Sequence, residues 1–175
     1  ENIWELTKLL FPLNRSITGN GNRETLNIIK KSILPSIEIK KIKSGTKVFD
    51  WKVPSEWNVK DAYILDKNEN KIIDFKNNNL HLVGYSTPVN KFFSKKKLFN
   101  NIHSLPKQPK AIPYITSYYK KYWGFCLSHN KLLKIYSQYD NLDKFKVVIK
   151  SNLNPKGYLN YRELILKGKS KEEIL

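Results

Sequence analysis

Residues 57–75, WNVKDAYILDKNENKIIDF, decide the fold class of this chain. In WNVKDAYIL (57–65) and KIIDF (71–75), apolar residues recur with a period near two and many are β-branched or aromatic, which is typical of strands with one buried face. The intervening DKNEN (66–70) is polar and has the composition of a turn. The stretch therefore predicts two neighbouring antiparallel strands.

The same short period recurs on both sides of this pair. It predicts further strands in SIEIKKIK (36–43), KVFDW (47–51), HLVGY (81–85), FKVVIK (145–150) and YLNYRELILKG (158–168), with a turn at KNNN (76–79). The strands between residues 47 and 85 predict an antiparallel meander with one packed face and one solvated face. Ile174 and Leu175 are expected to begin another strand.

Helical spacing dominates the N-terminal region. NIWELTKLLF (2–11) predicts a first helix that Pro12 ends, and RETLNIIKKSIL (23–34) predicts a second helix between an Asn22 cap and Pro35. Shorter helices are predicted over 94–102 and after Ser128, and Lys95, Lys96 and Lys97 are expected to form the solvated face of the first of these. The chain is therefore predicted to have an α+β fold.

Composition narrows the class of protein. The net charge is +17, but 29 of the 32 basic residues are Lys and three are Arg, whereas recognition of bases and phosphates favours the Arg fork. We therefore expect a solvated basic surface rather than a nucleic-acid partner. No apolar run is long enough to predict a membrane span. The single cysteine excludes an internal disulfide and favours a cytoplasmic location.

The segment PYITSYYKKYWGFCLSH (113–129) combines six aromatic rings with the only cysteine. The rings could form a core layer, the wall of a cleft or a platform for single-stranded nucleic acid. Cys126 and His129 are three positions apart across a strand end, which disfavours a catalytic pair and favours Cys126 as a small buried apolar residue. His81, His103 and His129 are too scattered to predict a complete zinc site.

The glycines of GNGNR (19–23) lie between two predicted helices and lack a Gly-Lys-Ser/Thr ending, so a turn is favoured over a phosphate-binding loop. Arg15 lies just before them. In a chain that otherwise uses Lys, its planar fork predicts a specific carboxylate or carbonyl partner, which could lie within the chain itself.

Several long segments of the sequence resemble those of a known family. They are LFPLNRSITGNGNRETLNIIKKSI, SGTKVFDWKVPSEWNVKDAYI, NNLHLVGYSTPVN, LPKQPKAIPYITSYYKKYWGFCLSH and RELILKGKSKEEIL. Over nearly its whole length the chain resembles the N-terminal part of a family of aminopeptidase-like proteins of unknown function. Those proteins are similar to the co-catalytic zinc aminopeptidases, whose α/β domain is interrupted by an inserted β-rich domain.

The resemblance implies a layout of three parts. Residues 1–43 would supply the N-terminal helices and first strand of an aminopeptidase-like domain, and residues 44–155 an inserted, mostly antiparallel β-rich domain. Residues 156–175 would return to the first domain as a hairpin of its sheet, which this chain leaves incomplete. The family's zinc ligands and catalytic carboxylate are expected beyond the matching phrases, so none is assigned to a residue of this chain.

The resemblance also implies a function for the intact protein, namely zinc-dependent hydrolysis of peptide or related amide bonds. This segment alone is expected to be inactive and to bind no metal. Residues predicted to line the substrate cleft are Arg15, Tyr118, Tyr119, Trp123 and His129, with Arg15 as a carboxylate clamp. The expected partners are a peptide or small amide substrate, the remainder of the catalytic domain and a second copy of the chain.

One alternative stays open. A non-catalytic β-rich module could use the same aromatic residues to bind a peptide, a glycan or a single-stranded nucleic acid.

Overall fold

The computed structural model describes residues 3–32, 38–164 and 168. Its helices are α1 (Ile3–Leu10), α2 (Asn20–Ser32), α3 (Lys95–Phe99) and α4 (His129–Gln138), with a 3₁₀ turn at Asn79–His81. Its strands are β1 (Ile39–Lys43), β2 (Lys47–Val48), β3 (Trp51–Lys52), β4 (Glu56–Leu65), β5 (Lys71–Asp74), β6 (Val89–Ser94), β7 (Ile102–His103), β8 (Phe125–Cys126), β9 (Lys144–Asn154) and β10 (Tyr158–Arg162). The predicted α+β class is confirmed.

The main sheet has four antiparallel strands in the order β5-β4-β9-β6. The predicted hairpin over 57–75 forms as β4 and β5, but β9 joins the other side of β4 from far along the chain. A simple meander is therefore wrong, because the second neighbour of β4 is not the next segment in sequence. On the packed face, Phe145 of β9 contacts Phe99 and Tyr139, which belong to the α3 and α4 regions.

The hydrophobic core lies within the central part of the chain. Its buried cluster extends from Trp57 to Ile149 and includes Tyr85, Phe125 and Phe145. Cys126 is fully buried beside this cluster, as predicted. Burial raises the pKa of its thiol to about 12, so the sulfur is an inert apolar group at neutral pH.

Strands β1 and β10 form a separate antiparallel pair in which Lys43 lies opposite Tyr158. The backbone N–H of Ser44 donates to the carbonyl of Gly157 at 2.9 Å, so the chain leaves and re-enters this pair at one point. The predicted boundaries at residues 44 and 155 remain a prediction. The later part of the 156–175 hairpin and the Ile174–Leu175 strand lie outside the described residues, as does the end of the second predicted helix.

Three predicted elements differ in the structure. KVFDW is not one strand but a tight hairpin of β2 and β3, because Phe49 has φ of +53° and reverses the chain. HLVGY is not a strand, because Asn78 caps the 3₁₀ turn and Tyr85 has φ of +65°. Helix α2 begins at Asn20, so Asn22 lies inside it and donates instead to the carbonyls of Ile17 and Asn160.

The 94–102 segment is also more complex than predicted. Strand β6 precedes it, and α3 is a short helix with Ser94 at its N-cap. Lys96 and Lys97 are exposed as expected, but Lys95 is buried. Its ammonium donates to the carbonyl of Tyr139 and lies 4.1 Å from the centre of the Tyr136 ring. Lys95 is therefore a structural residue rather than part of a solvated face.

Candidate substrate cleft

A cavity of about 410 Å³ opens between the loop after α1 and the 3₁₀ turn. Its polar lining comes from the side chains of Asn14, Arg15, Ser16 and Asn79. Its apolar lining comes from Phe11, Leu13, Ile17, Trp57, Leu80, Leu82 and Tyr114. Of the lining residues in the described part of the chain, none is acidic.

The loop that forms one wall is held in shape by three side-chain contacts. Helix α1 ends before Pro12, and Arg15 donates from its guanidinium to the carbonyl of Leu10 at 2.9 Å. Across the cavity, Asn79 donates from Nδ2 to the carbonyls of Phe11 and Leu13 at 3.3 and 3.2 Å. The wall is therefore tied both to α1 and to the 3₁₀ turn.

The two glycines of the GNGNR motif allow close backbone packing. Gly19 has φ of +91°, which only glycine adopts readily, and a Cβ at Gly21 would lie 1.8 Å from the carbonyl oxygen of Asn14. Gly19 thus ends the turn before α2, and residues 20–23 form the first turn of the helix, where Gly21 packs against the cavity loop.

The floor of the cavity is Trp57, which stacks on the buried Tyr85 behind it. Trp57 and Tyr85 lie parallel with ring centres 5.6 Å apart, and the Trp57 indole donates to the carbonyl of Ser86 at 3.0 Å. The Tyr85 hydroxyl is 2.6 Å from the hydroxyl of Thr18. Burial raises the pKa of Tyr85 to about 12, so it remains protonated and neutral. The floor is therefore an uncharged aromatic surface.

The predicted cleft residues are only partly brought together. Arg15 lines the cavity, and Tyr118 supports its floor by packing edge-on against Tyr85 at 4.7 Å between ring centres. Tyr119 contacts Tyr118, but it is 62% exposed and its hydroxyl donates to the carbonyl of Lys52.

The other two candidates lie on different elements. Trp123 packs against Phe93 of β6 with ring centres 4.8 Å apart. His129 begins α4, where its Nδ1 is 2.9 Å from the Ser104 hydroxyl. Neither belongs to the lining of this cavity, and their role in a substrate cleft stays a prediction.

Sequence reasoning missed several lining residues. The sequence predicted a turn at Asn79, a strand at Trp57 and a helix at Phe11. It did not predict that any of these residues lines a binding site. Phe11 is 71% exposed and Tyr114 is 67% exposed, and their positions at the cavity depend on segments about a hundred residues apart in sequence. The sequence signal that could have predicted this cavity was the cluster of large apolar residues around Arg15 in LFPLNR.

The histidines do not assemble a metal site in the described ranges. His81 bonds through Nδ1 to the carbonyl of Cys126, His103 through Nε2 to the Tyr122 hydroxyl, and His129 to Ser104. Within residues 3–32 and 38–164, no group of three His, Cys, Asp or Glu residues is placed to hold a metal ion. His129 bonds to Ser104 rather than pairing with Cys126, and the absence of zinc from this chain stays a prediction.

Comparisons with known proteins identify the family. A family model described as "Domain of unknown function (DUF2172)" matches residues 56–152, which is more than half of the chain. The chain belongs to the DUF2172 family. The matched region begins with β4 and ends within β9, so it contains the main sheet and most of the core of this DUF2172 chain.

Two relatives from Clostridium acetobutylicum confirm the predicted resemblance. One is named as a candidate polysaccharide biosynthesis protein with an aminopeptidase-like domain, and it is 49% identical over 175 residues, covering 99% of this chain and 38% of the relative. The other is the crystal structure of a candidate peptidase, with 49% identity and a TM-score of 0.82 over 91% of this chain and 36% of that chain. The DUF2172 chain thus spans about two fifths of the length of these relatives.

No helix in the described ranges is both long enough and apolar enough to cross a membrane.

Proposed function

We propose that this chain is the N-terminal part of a zinc-dependent hydrolase of peptide or related amide bonds. In this proposal it supplies α1, α2, the β1–β10 pair and an inserted β-rich domain that covers the substrate cleft. The observation that carries the proposal is the 49% identity along the chain to a protein named for an aminopeptidase-like domain. The similarity to the crystal structure of a candidate peptidase supports the same conclusion.

The role assigned to this chain is to bind and orient the substrate. Arg15 and the aromatic floor line a cavity whose described lining residues include no acid, which suits an anionic or amide-bearing ligand. The zinc ligands are expected in the part of the intact protein that corresponds to the remainder of the relatives. No chemical step is therefore assigned to a residue of this chain.

The test uses the Clostridium relative with its matching segment replaced by this chain. The intact relative, the chimera and this chain alone are purified, and their folding is checked by thermal unfolding. Zinc content is measured by mass spectrometry, and hydrolysis is measured on a series of aminoacyl 4-nitroanilides with and without a chelator. We expect stoichiometric zinc and chelator-sensitive hydrolysis in the first two proteins and neither in this chain alone.

Two results would contradict the proposal. Tight binding of one zinc ion per molecule by this chain alone would place the metal site in this chain, whereas the proposal places it in the remainder of the intact protein. Absence of hydrolysis by the zinc-loaded intact relative on every amide would leave the non-catalytic binding module as the better description.

A further inference from the structure

We propose that the cavity beside Arg15 binds a small ligand that carries a single carboxylate on an apolar body, with Arg15 binding the carboxylate. The inference rests on the proposed function only in assigning this cavity to the substrate cleft. The binding itself requires neither zinc nor hydrolysis.

The charge of Arg15 is the first argument. A guanidinium has five N–H donors, and the Leu10 carbonyl is the hydrogen-bond acceptor that the structure gives to Arg15. Within residues 3–32 and 38–164, no carboxylate forms an ion pair with Arg15, in contrast to Arg23, which pairs with Glu56 at 2.7 Å. Arg15 therefore retains donors and an uncompensated charge at the edge of the cavity, and no acidic residue occurs among the lining residues of the described part of the chain.

The shape and lining of the cavity are the second argument. A volume of about 410 Å³ falls in the range of sites for small molecules, about 300–1,000 Å³. Phe11 and Tyr114 expose their rings at this cavity, while Trp57 forms an inner surface that is only 4% exposed. Apolar surfaces at the rim and the floor favour a ligand with an apolar body rather than a free inorganic anion.

The balance of charge selects a carboxylate over a phosphate. Among the lining residues that the structure describes, Arg15 is the one cation, and there is no Lys or His. A planar guanidinium binds a carboxylate through two parallel hydrogen bonds, whereas a doubly charged phosphate group would leave charge uncompensated in this cavity. Asn14 and Ser16 add a neutral amide and a hydroxyl beside Arg15, which suits a ligand that also carries an amide group.

The cavity is held in shape by contacts within the chain. Asn79 ties the 3₁₀ turn to the loop after α1, and the Trp57–Tyr85 stack is fixed by hydrogen bonds from both rings. Little ordering is needed on binding, so the energetic cost of association is low.

The experiment measures binding to the full chain by calorimetry and by amide chemical shifts. The probes are N-acetyl-L-phenylalanine, its neutral amide, and N-acetylglycine, which has the carboxylate without the apolar body. We expect the acid to bind about tenfold or more tightly than the amide, because a charge-assisted hydrogen bond is lost in the amide. N-acetylglycine is expected to bind more weakly than N-acetyl-L-phenylalanine because it buries less apolar surface.

Variants assign the binding to the cavity. Arg15→Gln is expected to reduce affinity for the acid about tenfold or more without changing affinity for the amide, and Arg15→Lys is expected to fall between Arg15→Gln and the native chain. Lys107→Gln removes the same charge from an exposed loop outside the cavity and should leave both affinities unchanged. Since Arg15 also supports Leu10, Tyr114→Ala provides a second test at an exposed position and is expected to weaken both ligands.

The outcomes separate this inference from the proposed function. Equal binding of acid and amide, binding of neither, or full affinity in folded Arg15→Gln would overturn the inference whatever the hydrolysis assay gives. Carboxylate-dependent binding beside an inactive, zinc-free relative would uphold the inference and reject the hydrolase.

Discussion

Glu56 shows how one side chain connects distant parts of the chain. Its carboxylate accepts from Arg23 of α2 at 2.7 Å, from the backbone N–H of Tyr158 at 3.0 Å and from Asn58 at 3.1 Å. The hydrogen bond from Arg23 is the main reason that the pKa of Glu56 is lowered to about 2. The ionised carboxylate therefore links α2, β4 and β10, and protonation weakens these links.

Replacing this carboxylate tests its contribution to stability. Because the pKa is lower in the folded chain than in the unfolded chain, the stabilisation is fully present above pH of about 4.5 and is lost as the pH falls towards about 2. Glu56→Gln is expected to lower the free energy of unfolding by about 1–3 kcal/mol at pH 7 and to flatten its decline between these pH values. The measurement is urea unfolding at a series of pH values.

The matched control for this substitution is Glu5→Gln. Glu5 pairs with Lys8 at 2.7 Å, but both side chains are more than half exposed, so the change should be within about 0.5 kcal/mol. If both variants lost the same free energy of unfolding, burial of the Arg23–Glu56 pair would add nothing to its contribution to stability.

Among the secondary-structure elements, α3 depends on a buried lysine. The five-residue helix is too short to be stable alone, and it is held by Leu98 in the core and by Lys95. The Lys95 ammonium reaches the carbonyl of Tyr139 just after α4 and lies over the Tyr136 ring. One side chain thus joins the two helical segments that pack on Phe145.

This link predicts unequal effects along the lysine run. Lys95→Met keeps the apolar stem but removes the donor, and it is expected to lower the free energy of unfolding by about 1–3 kcal/mol because the Tyr139 carbonyl loses its charged partner. Lys96→Met, at an exposed position of the same helix, should change it by less than about 0.5 kcal/mol. Thermal and urea unfolding measure both variants, and equal effects would contradict the structural role of Lys95.

For the whole molecule, the arrangement of the core suggests that the central segment folds as a unit. The buried cluster is contained between Trp57 and Ile149, and Ser44 meets Gly157 at the end of the β1–β10 pair. The N-terminal part joins this segment through hydrogen bonds such as Thr18 to Tyr85 and Arg23 to Glu56, and through the shared lining of the cavity. A domain needs its own core to fold alone, and this segment has one.

Expression of residues 44–157, which contain the predicted insertion at 44–155, tests whether that segment folds alone. We expect a dispersed amide spectrum and cooperative unfolding at a lower temperature than the intact chain, because the hydrogen bonds from Thr18 and Arg23 are absent. An unfolded segment would contradict its independence, and unchanged stability would show that the N-terminal contacts contribute nothing.

By itself, the sequence determined those features that depend on local physics. Hydrophobic period and turn composition predicted α1, the β4–β5 hairpin, β9 and the Ser128-capped helix α4, and the pattern around Cys126 predicted its burial. Its long phrases also identified the family. These properties follow from side chains a few positions apart and from sequence similarity.

Only the tertiary structure decided the strand order, the burial of Lys95 and the cavity beside Arg15. Each depends on segments far apart in sequence, such as Phe11 with Asn79 or Lys95 with Tyr139, whose meeting is set by packing of the whole core. HLVGY failed as a strand for the same reason, since Val83 and Gly84 bond to loops more than thirty residues later. Local propensity cannot contain that information because the competing partners are not local.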